Sequence, residues 1–144
     1  MDSSDDLDAL DAVEPLDTMT IGMLTGDEVV TVTGDVSLEE VARVLTDAGI
    51  GAVVVGTADQ ALSIVSERDI VRCVAEGIDL AATSAETVSS QTLLWADASA
   101  PVIEVAEQMM QEWVRHVLIE DGGRLVGVVS SRDLLGVYAS QLTD

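Results

Sequence analysis

Lysine and phenylalanine are absent from the 144 residues, and histidine, cysteine and tyrosine occur once each. A single cysteine, Cys73, excludes an internal disulfide and a multi-cysteine zinc site. It lies in a helical pattern beside Val71 and Val74 and is expected to be an inert, partly buried thiol. With one histidine, His116, no Cys–His or Ser–His–Asp set has workable spacing, and there is no GxxxxGK[ST] loop. These absences argue against an enzyme and against a protein-bound metal. No apolar run approaches the roughly 20 residues needed to span a bilayer. The acidic start MDSSDDLDALDAVEP has neither the basic nor the apolar region of a secretory signal. The expectation is a cytoplasmic protein with no membrane partner.

Positive charge is scarce. Six basic residues, all arginine, face 27 acidic ones, for a formal net charge of −21. Such a surface repels itself until electrolyte screens it, which reads as adaptation to a high-salt cytoplasm in a halophilic, archaeal source. The acidity runs along the whole chain, whereas an interaction tail would form a block. No basic patch exists to neutralise phosphates, so direct nucleic-acid binding is not expected. Residues 1–15 read as a flexible, solvated acidic tail. The remainder has ample apolar content, 48% of the chain, for one compact domain or two packed halves.

What is present is a repeat. Ser66-Glu67-Arg68-Asp69 returns as Ser130-Ser131-Arg132-Asp133, 64 positions later (130 − 66). The offset holds without a gap from Val29–Val71 to Leu93–Leu135, so Val53-Val54-Val55 falls on Val117-Leu118-Ile119. Each copy begins with a short strand, EVVTV or TLLWA. A helix follows: SLEEVARVLTDAG has capping-box spacing from Ser37 to Glu40 and stops at Gly49, and PVIEVAEQMMQEW starts at Pro101. Two apolar strands come next, joined by TADQ in one copy and DGG in the other. A second helix closes each copy. The linking segment IDLAATSAET is expected to include a short helix. Two copies are too few for a solenoid, so they are expected to pack on each other as β-α-β-β-α halves of an α+β fold, at residues 16–79 and 80–142.

The recurring Ser-x-x-Asp has two readings. As a cap, the serine hydroxyl accepts a backbone N–H and the aspartate favours the positive helix end. As a site, it places free N–H groups, a carboxylate and an arginine at the end of an apolar strand, where a phosphate and a ribose could be held. Capping requires no arginine, yet Arg68 and Arg132 recur among only six. An arginine on a helix of an acidic protein also suits a surface ion pair, and both readings stay open on the motif alone.

The doubled order, the 64-residue spacing and the terminal GVVSSRDLL together resemble a tandem of CBS domains, the Bateman module, over about residues 17–142. The resemblance implies pseudo-twofold packing of the repeats, dimerisation, and a regulatory role. It also implies an adenosyl ligand (AMP, ADP, ATP or S-adenosylmethionine) in clefts that combine a motif from one repeat with strand residues from the other, and no other cofactor. One cleft would use Asp133 for ribose, Ser130 and Arg132 near ribose and phosphate, and His116 facing phosphate. Thr25, Val30, Ile50, Gly51 and Ala52 would surround the adenine. The second would use Asp69, Ser66 and Arg68 opposite Ser89, Leu94, Val114, Arg115 and His116. Gly127 is kept where the first copy has Ser63, and Ala52 stands where the second has His116, so the Asp133 cleft is expected to bind better. Met109, Met110 and Trp113 are expected in helix packing or a dimer face. The regulated partner is unknown. The rival to ligand sensing is a ligand-independent dimerisation or protein-interaction module.

Overall fold

The computed structural model describes residues 18–26, 29–90 and 93–143; the expected acidic tail at 1–15 lies outside them. The described residues form two compact units. The first comprises residues 29–90, Leu93 and the excursion Gly122–Val126. In it, Thr31–Val32 (β1), Leu38–Ala48 (α1), Ala52–Gly56 (β2), Ala61–Ser66 (β3) and Glu67–Ala75 (α2) follow the expected order. Helix α1 starts where the Ser37 hydroxyl accepts the Glu40 N–H at 3.1 Å. It ends at Gly49, whose φ of 66° is the left-handed conformation glycine adopts without a Cβ penalty. β1 pairs parallel with β2, and β2 pairs antiparallel with β3 in the register Val53↔Val65, Val54↔Ile64, Val55↔Ser63.

Helical and strand periodicities converge on one core here. Leu38, Val41 and Leu45 from α1 meet Val53, Val55 and Val65 from the sheet, with Cys73 and Ala85. Each fully buried Val or Leu contributes roughly 1.5–3 kcal/mol relative to exposure. Cys73 is fully buried rather than partly so, as a free thiol. The linking segment supplies a 3₁₀ turn at Leu80–Ala82 and a short helix, Ala85–Val88 (α3). The Ala85 and Glu86 N–H groups donate to Val36 and Gly34 carbonyls, tying this segment to the first unit.

The second unit comprises residues 18–26, Leu94–Asp121 and residues from Gly127 onward. It holds Trp95–Asp97 (β4), Val102–Glu112 (α4), His116–Asp121 (β5), the later part of Arg124–Ser130 (β6), and Ser131–Thr143 (α5). β4 lies parallel to β5 in a three-stranded sheet of order β4-β5-β6, matching β1-β2-β3. β5 and β6 are joined at Gly122 and Gly123, whose φ values of 62° and 81° suit the DGG turn. Residues 18–24 pack here: Ile21 is fully buried, its N–H donates to the Ala100 carbonyl, and Val102 N–H donates to Met19. The spatial units and the sequence repeats are therefore different partitions, because each unit takes the segment that precedes the other copy's sheet. Pro101 is the cap of α4, with ψ of 139°, one position before the first helical residue.

Candidate functional site

The two Ser-x-x-Asp motifs are local structures first. Ser66 has the extended backbone of a helix cap, its hydroxyl accepts the Asp69 N–H at 3.3 Å, and Asp69 Oδ2 accepts the Ser66 N–H at 2.8 Å. This reciprocal capping box satisfies two N–H groups that the helix start leaves without intrahelical partners. The Ser66 hydroxyl also donates to Asp69 Oδ2 at 3.0 Å, and Arg72 Nη2 reaches Asp69 Oδ1 at 3.2 Å. Both oxygens of the half-buried Asp69 are thus engaged inside the protein.

The second copy keeps the box and drops the extra partners. Ser130 N–H donates to Asp133 Oδ2 at 2.8 Å and Asp133 N–H donates to the Ser130 hydroxyl at 3.0 Å. Gly136 stands where Arg72 does in the first copy, so among the described residues Asp133 Oδ1 has no partner. Asp133 is exposed. A carboxylate with one oxygen holding the helix start and the other turned to solvent can accept a hydroxyl proton from a ligand without giving up its cap.

Arginine pairing divides the same way. Arg43, Arg72 and Arg124 are in ion pairs. Among the described residues Arg68, Arg115 and Arg132 are in none, although the chain carries 27 carboxylates. All three lie at the motifs. Glu67 N–H donates to the Gly51 carbonyl and Ser131 N–H to the Arg115 carbonyl, both at 2.8 Å. Each motif is thereby fastened to the start of its own repeat's second strand. Ser66, Arg68 and Asp69 adjoin Ile50, Gly51 and Ala52. Ser130, Arg132 and Asp133 adjoin Val114, Arg115 and the half-buried His116. This grouping of Arg115 with Asp133 was missed from the sequence; equal offsets of the motif and the strand start carried it.

The remaining candidates are main-chain and packing positions. The Val30 and Leu94 carbonyls accept Val54 and Leu118 N–H groups in the parallel strand pairs. Thr25 Oγ1 donates to Gly22 at 2.7 Å, and Ser89 Oγ to Glu86 at 3.3 Å, matched ends of short helical turns. Thr25 also explains Gly127. A Cβ at Gly127 would lie 2.7 Å from Thr25 Cβ and closer still to its methyl. The first unit has Ser63 and Ser89 at the matching positions, so the methyl is absent where the Cβ is present. The Gly127/Ser63 difference is thus a packing exchange within the protein. Met109 is buried in its unit, while Met110 and Trp113 are exposed.

Among the described residues, no cluster of three or more His, Cys, Asp or Glu is arranged to hold a metal ion. None of their helices is long and apolar enough to cross a membrane.

Comparison with known proteins follows the same division into copies. A profile of the CBS domain matches residues 21–76 and 85–140. An uncharacterized protein of Methanopyrus kandleri is 28% identical over 122 residues, 83% of this chain and 62% of that protein. The chain thus spans under two thirds of that relative's length. A CBS domain protein from Pyrobaculum aerophilum, solved in complex with AMP, superposes with a TM-score of 0.74 at 29% identity, covering 87% of this chain and 99% of that one. The CBS domain pair of protein MJ0100, solved with 5′-methylthioadenosine and S-adenosyl-L-methionine, shares the fold with a TM-score of 0.74 at 20% identity, covering 85% and 97%.

Proposed function

The chain belongs to the CBS-domain family, with two copies of the domain in tandem, and from that premise we propose that it is a regulatory module, not an enzyme. It binds an adenosine-containing ligand (AMP, ADP, ATP or S-adenosylmethionine) between its repeats and passes the bound state to a partner protein. The observation that carries this reading is the occurrence together of Asp133 Oδ1, Arg132 and Arg115, none of them partnered among the described residues of an acidic chain. Asp133 takes the ribose hydroxyls, and Arg132, Arg115 and His116 take phosphate. Thr25, in the same unit as Asp133, lines the adenine side, whereas Ile50, Gly51 and Ala52 stand at the Asp69 motif. Asp69, Ser66 and Arg68, with Ser89, Ile50, Gly51 and Ala52 in the same unit, form a second and weaker site, because Asp69 is already bound by Ser66 and Arg72; Leu94 and Val114 stand in the unit of Asp133 instead. AMP bound to the Pyrobaculum aerophilum protein supports the ligand class.

Signalling works by linkage: a ligand that prefers one arrangement of the repeats shifts the population toward it, and the partner reads that arrangement. The module acts as a homodimer in a salt-rich cytoplasm, where screening relieves the net charge of −21. A second reading is a ligand-independent interaction module. It is favoured by the self-contained capping box at Ser66 and Asp69 and by the exposed Val71, Val74, Met110, Trp113 and Leu135. Titration calorimetry with AMP, ATP and S-adenosylmethionine in molar KCl separates the two. Heat and saturation with any of them support sensing, and silence with all three leaves the interaction module.

A further inference from the structure

We propose that the two motifs sort adenosyl ligands by charge, with Arg115 as the selector. The Asp133 motif takes a phosphorylated adenosine, and the Asp69 motif takes an adenosyl ligand that carries no phosphate. The inference rests on the ligand-binding reading above and assigns each motif its ligand class.

The main chain cannot make this distinction, because both copies commit it alike. At the second motif the Ser130 N–H donates to Asp133, the Ser131 N–H to the Arg115 carbonyl and the Asp133 N–H to the Ser130 hydroxyl. At the first, the Ser66, Glu67 and Asp69 N–H groups donate to Asp69, the Gly51 carbonyl and the Ser66 hydroxyl. Helix starts commonly hold phosphate through such N–H groups. With these taken in each copy, recognition of phosphate falls to side chains.

The side chains differ in charge. Arg115 and Arg132 against Asp133 leave the second motif with a net positive charge, His116 counted as neutral. In the first copy Gly51 and Ala52 stand where Arg115 and His116 do, and Glu67 stands where Ser131 does. Arg68 therefore lies between two acidic residues, Glu67 and Asp69, and Arg72 is engaged with Asp69 at 3.2 Å. Glu67 and Asp69 against Arg68 and Arg72 leave the first motif with no net charge.

The rest of the chain sharpens the contrast. A net charge of −21 repels anions from a distance, so a phosphate has to be held by positive charge in direct contact. A monophosphate carries roughly −1.5 to −2 charges at neutral pH, and a guanidinium matches its oxygens with paired N–H donors. Arg115 is exposed and in no ion pair among the described residues, so its donors are free for that contact. An uncharged thioether or a sulfonium offers those donors no acceptor of comparable strength. At the first motif Glu67 disfavours a phosphate and tolerates either of these.

Titration calorimetry of the full chain in molar KCl, with AMP, adenosine and 5′-methylthioadenosine as probes, tests this. The wild type binds AMP about tenfold or more tighter than adenosine, the scale of a hydrogen bond to a charged group. Arg115→Gln, which keeps the main-chain carbonyl that accepts the Ser131 N–H, lowers AMP affinity about tenfold or more and leaves adenosine within about threefold. Arg115→Lys, which keeps the charge, retains a preference for AMP. Methylthioadenosine still binds to AMP-saturated protein, at the Asp69 motif. Equal affinity for AMP and adenosine in the wild type, equal losses of both in Arg115→Gln, or methylthioadenosine excluded by AMP overturns the proposal and leaves adenosyl binding standing. Silence with all three probes overturns the proposal together with the ligand-binding reading.

Discussion

Gly127→Ala offers a quantitative check on how the second-repeat unit is packed. Gly127 is in a strand with ordinary backbone geometry, so alanine adds only a methyl group. That methyl would sit 2.7 Å from Thr25 Cβ, below any relaxed contact, and nearer to the Thr25 methyl. Thr25 cannot swing away cheaply, because its hydroxyl donates to the Gly22 carbonyl at 2.7 Å. Gly22 in turn packs against Ala98, with its N–H on the Ala98 carbonyl at 2.9 Å. Overpacking of this kind costs about 1–3 kcal/mol. In a chain of this size that lowers the melting temperature by several degrees, at about 2–8 °C per kcal/mol. Thr25→Gly removes both offending carbons and leaves Thr25 Cα at 3.7 Å, an ordinary contact. Urea melts of wild type, both single variants and the double variant form a cycle. The double variant should be more stable than the sum of the singles allows by about 1 kcal/mol or more. An unchanged urea midpoint for Gly127→Ala, or strict additivity, would refute the packing account and return Gly127 to a ligand-side explanation.

Three other outcomes are expected. Ser66→Ala should destabilise more than Ser130→Ala, about 2 against about 1 kcal/mol by urea melts, because the Ser66 hydroxyl also donates to Asp69; equal losses would remove the distinction between the motifs. The Ser99 hydroxyl, then the Ser99 N–H, hold the exposed Asp97 carboxyl below its ordinary pKa of 3.8. A depressed carboxylate pKa stabilises the fold above the unfolded value and loses that contribution as pH falls through the folded one. Ser99→Ala should therefore be less stable than wild type at neutral pH, with the gap closing below pH 3.8, as thermal melts across acidic pH would show. The melting temperature of the wild type should climb as KCl rises from about 0.1 to about 1 M and the Debye length falls from about 10 to about 3 Å; a flat curve would contradict the high-salt reading of the charge.

Much of this fold is legible in the residues because its signals are local. Ser37 to Glu40, Gly49 and Asp121-Gly122-Gly123 each set a backbone conformation within a few residues, and each performs that role in the structure. The apolar triplets Val53–Val55 and Val117–Ile119 are buried as their continuous pattern implied. Hidden were features that depend on segments distant in the chain. Residues 18–24 pack beside Ala98, Ala100 and Val102, and no periodicity announces that exchange. Thr25 against Gly127 explains a glycine that sequence reasoning related to a ligand. Trp113 closes a helix where the register led to glycine, and nothing in its own neighbourhood signals a left-handed tryptophan. At the candidate site, the motifs and their capping were readable. The uncommitted oxygen of Asp133 was not, although Arg72 three residues after Asp69, with Gly136 in its place later, is an i,i+3 spacing that marks the difference.

The central claim is that Asp133 holds the ribose of an adenosyl ligand. Titration calorimetry of wild type and Asp133→Asn with AMP, ATP and S-adenosylmethionine in molar KCl, beside urea melts of both proteins, tests it most directly. Asparagine keeps an acceptor for the Ser130 N–H and removes the charge that draws the ribose hydroxyls. The account predicts saturable binding of at least one ligand to wild type. In Asp133→Asn that affinity should fall about tenfold or more, since hydrogen bonds to charged groups are worth about 1.5–3 kcal/mol, with the urea midpoint little changed. Binding that survives Asp133→Asn undiminished, or no binding to wild type at all, would contradict it.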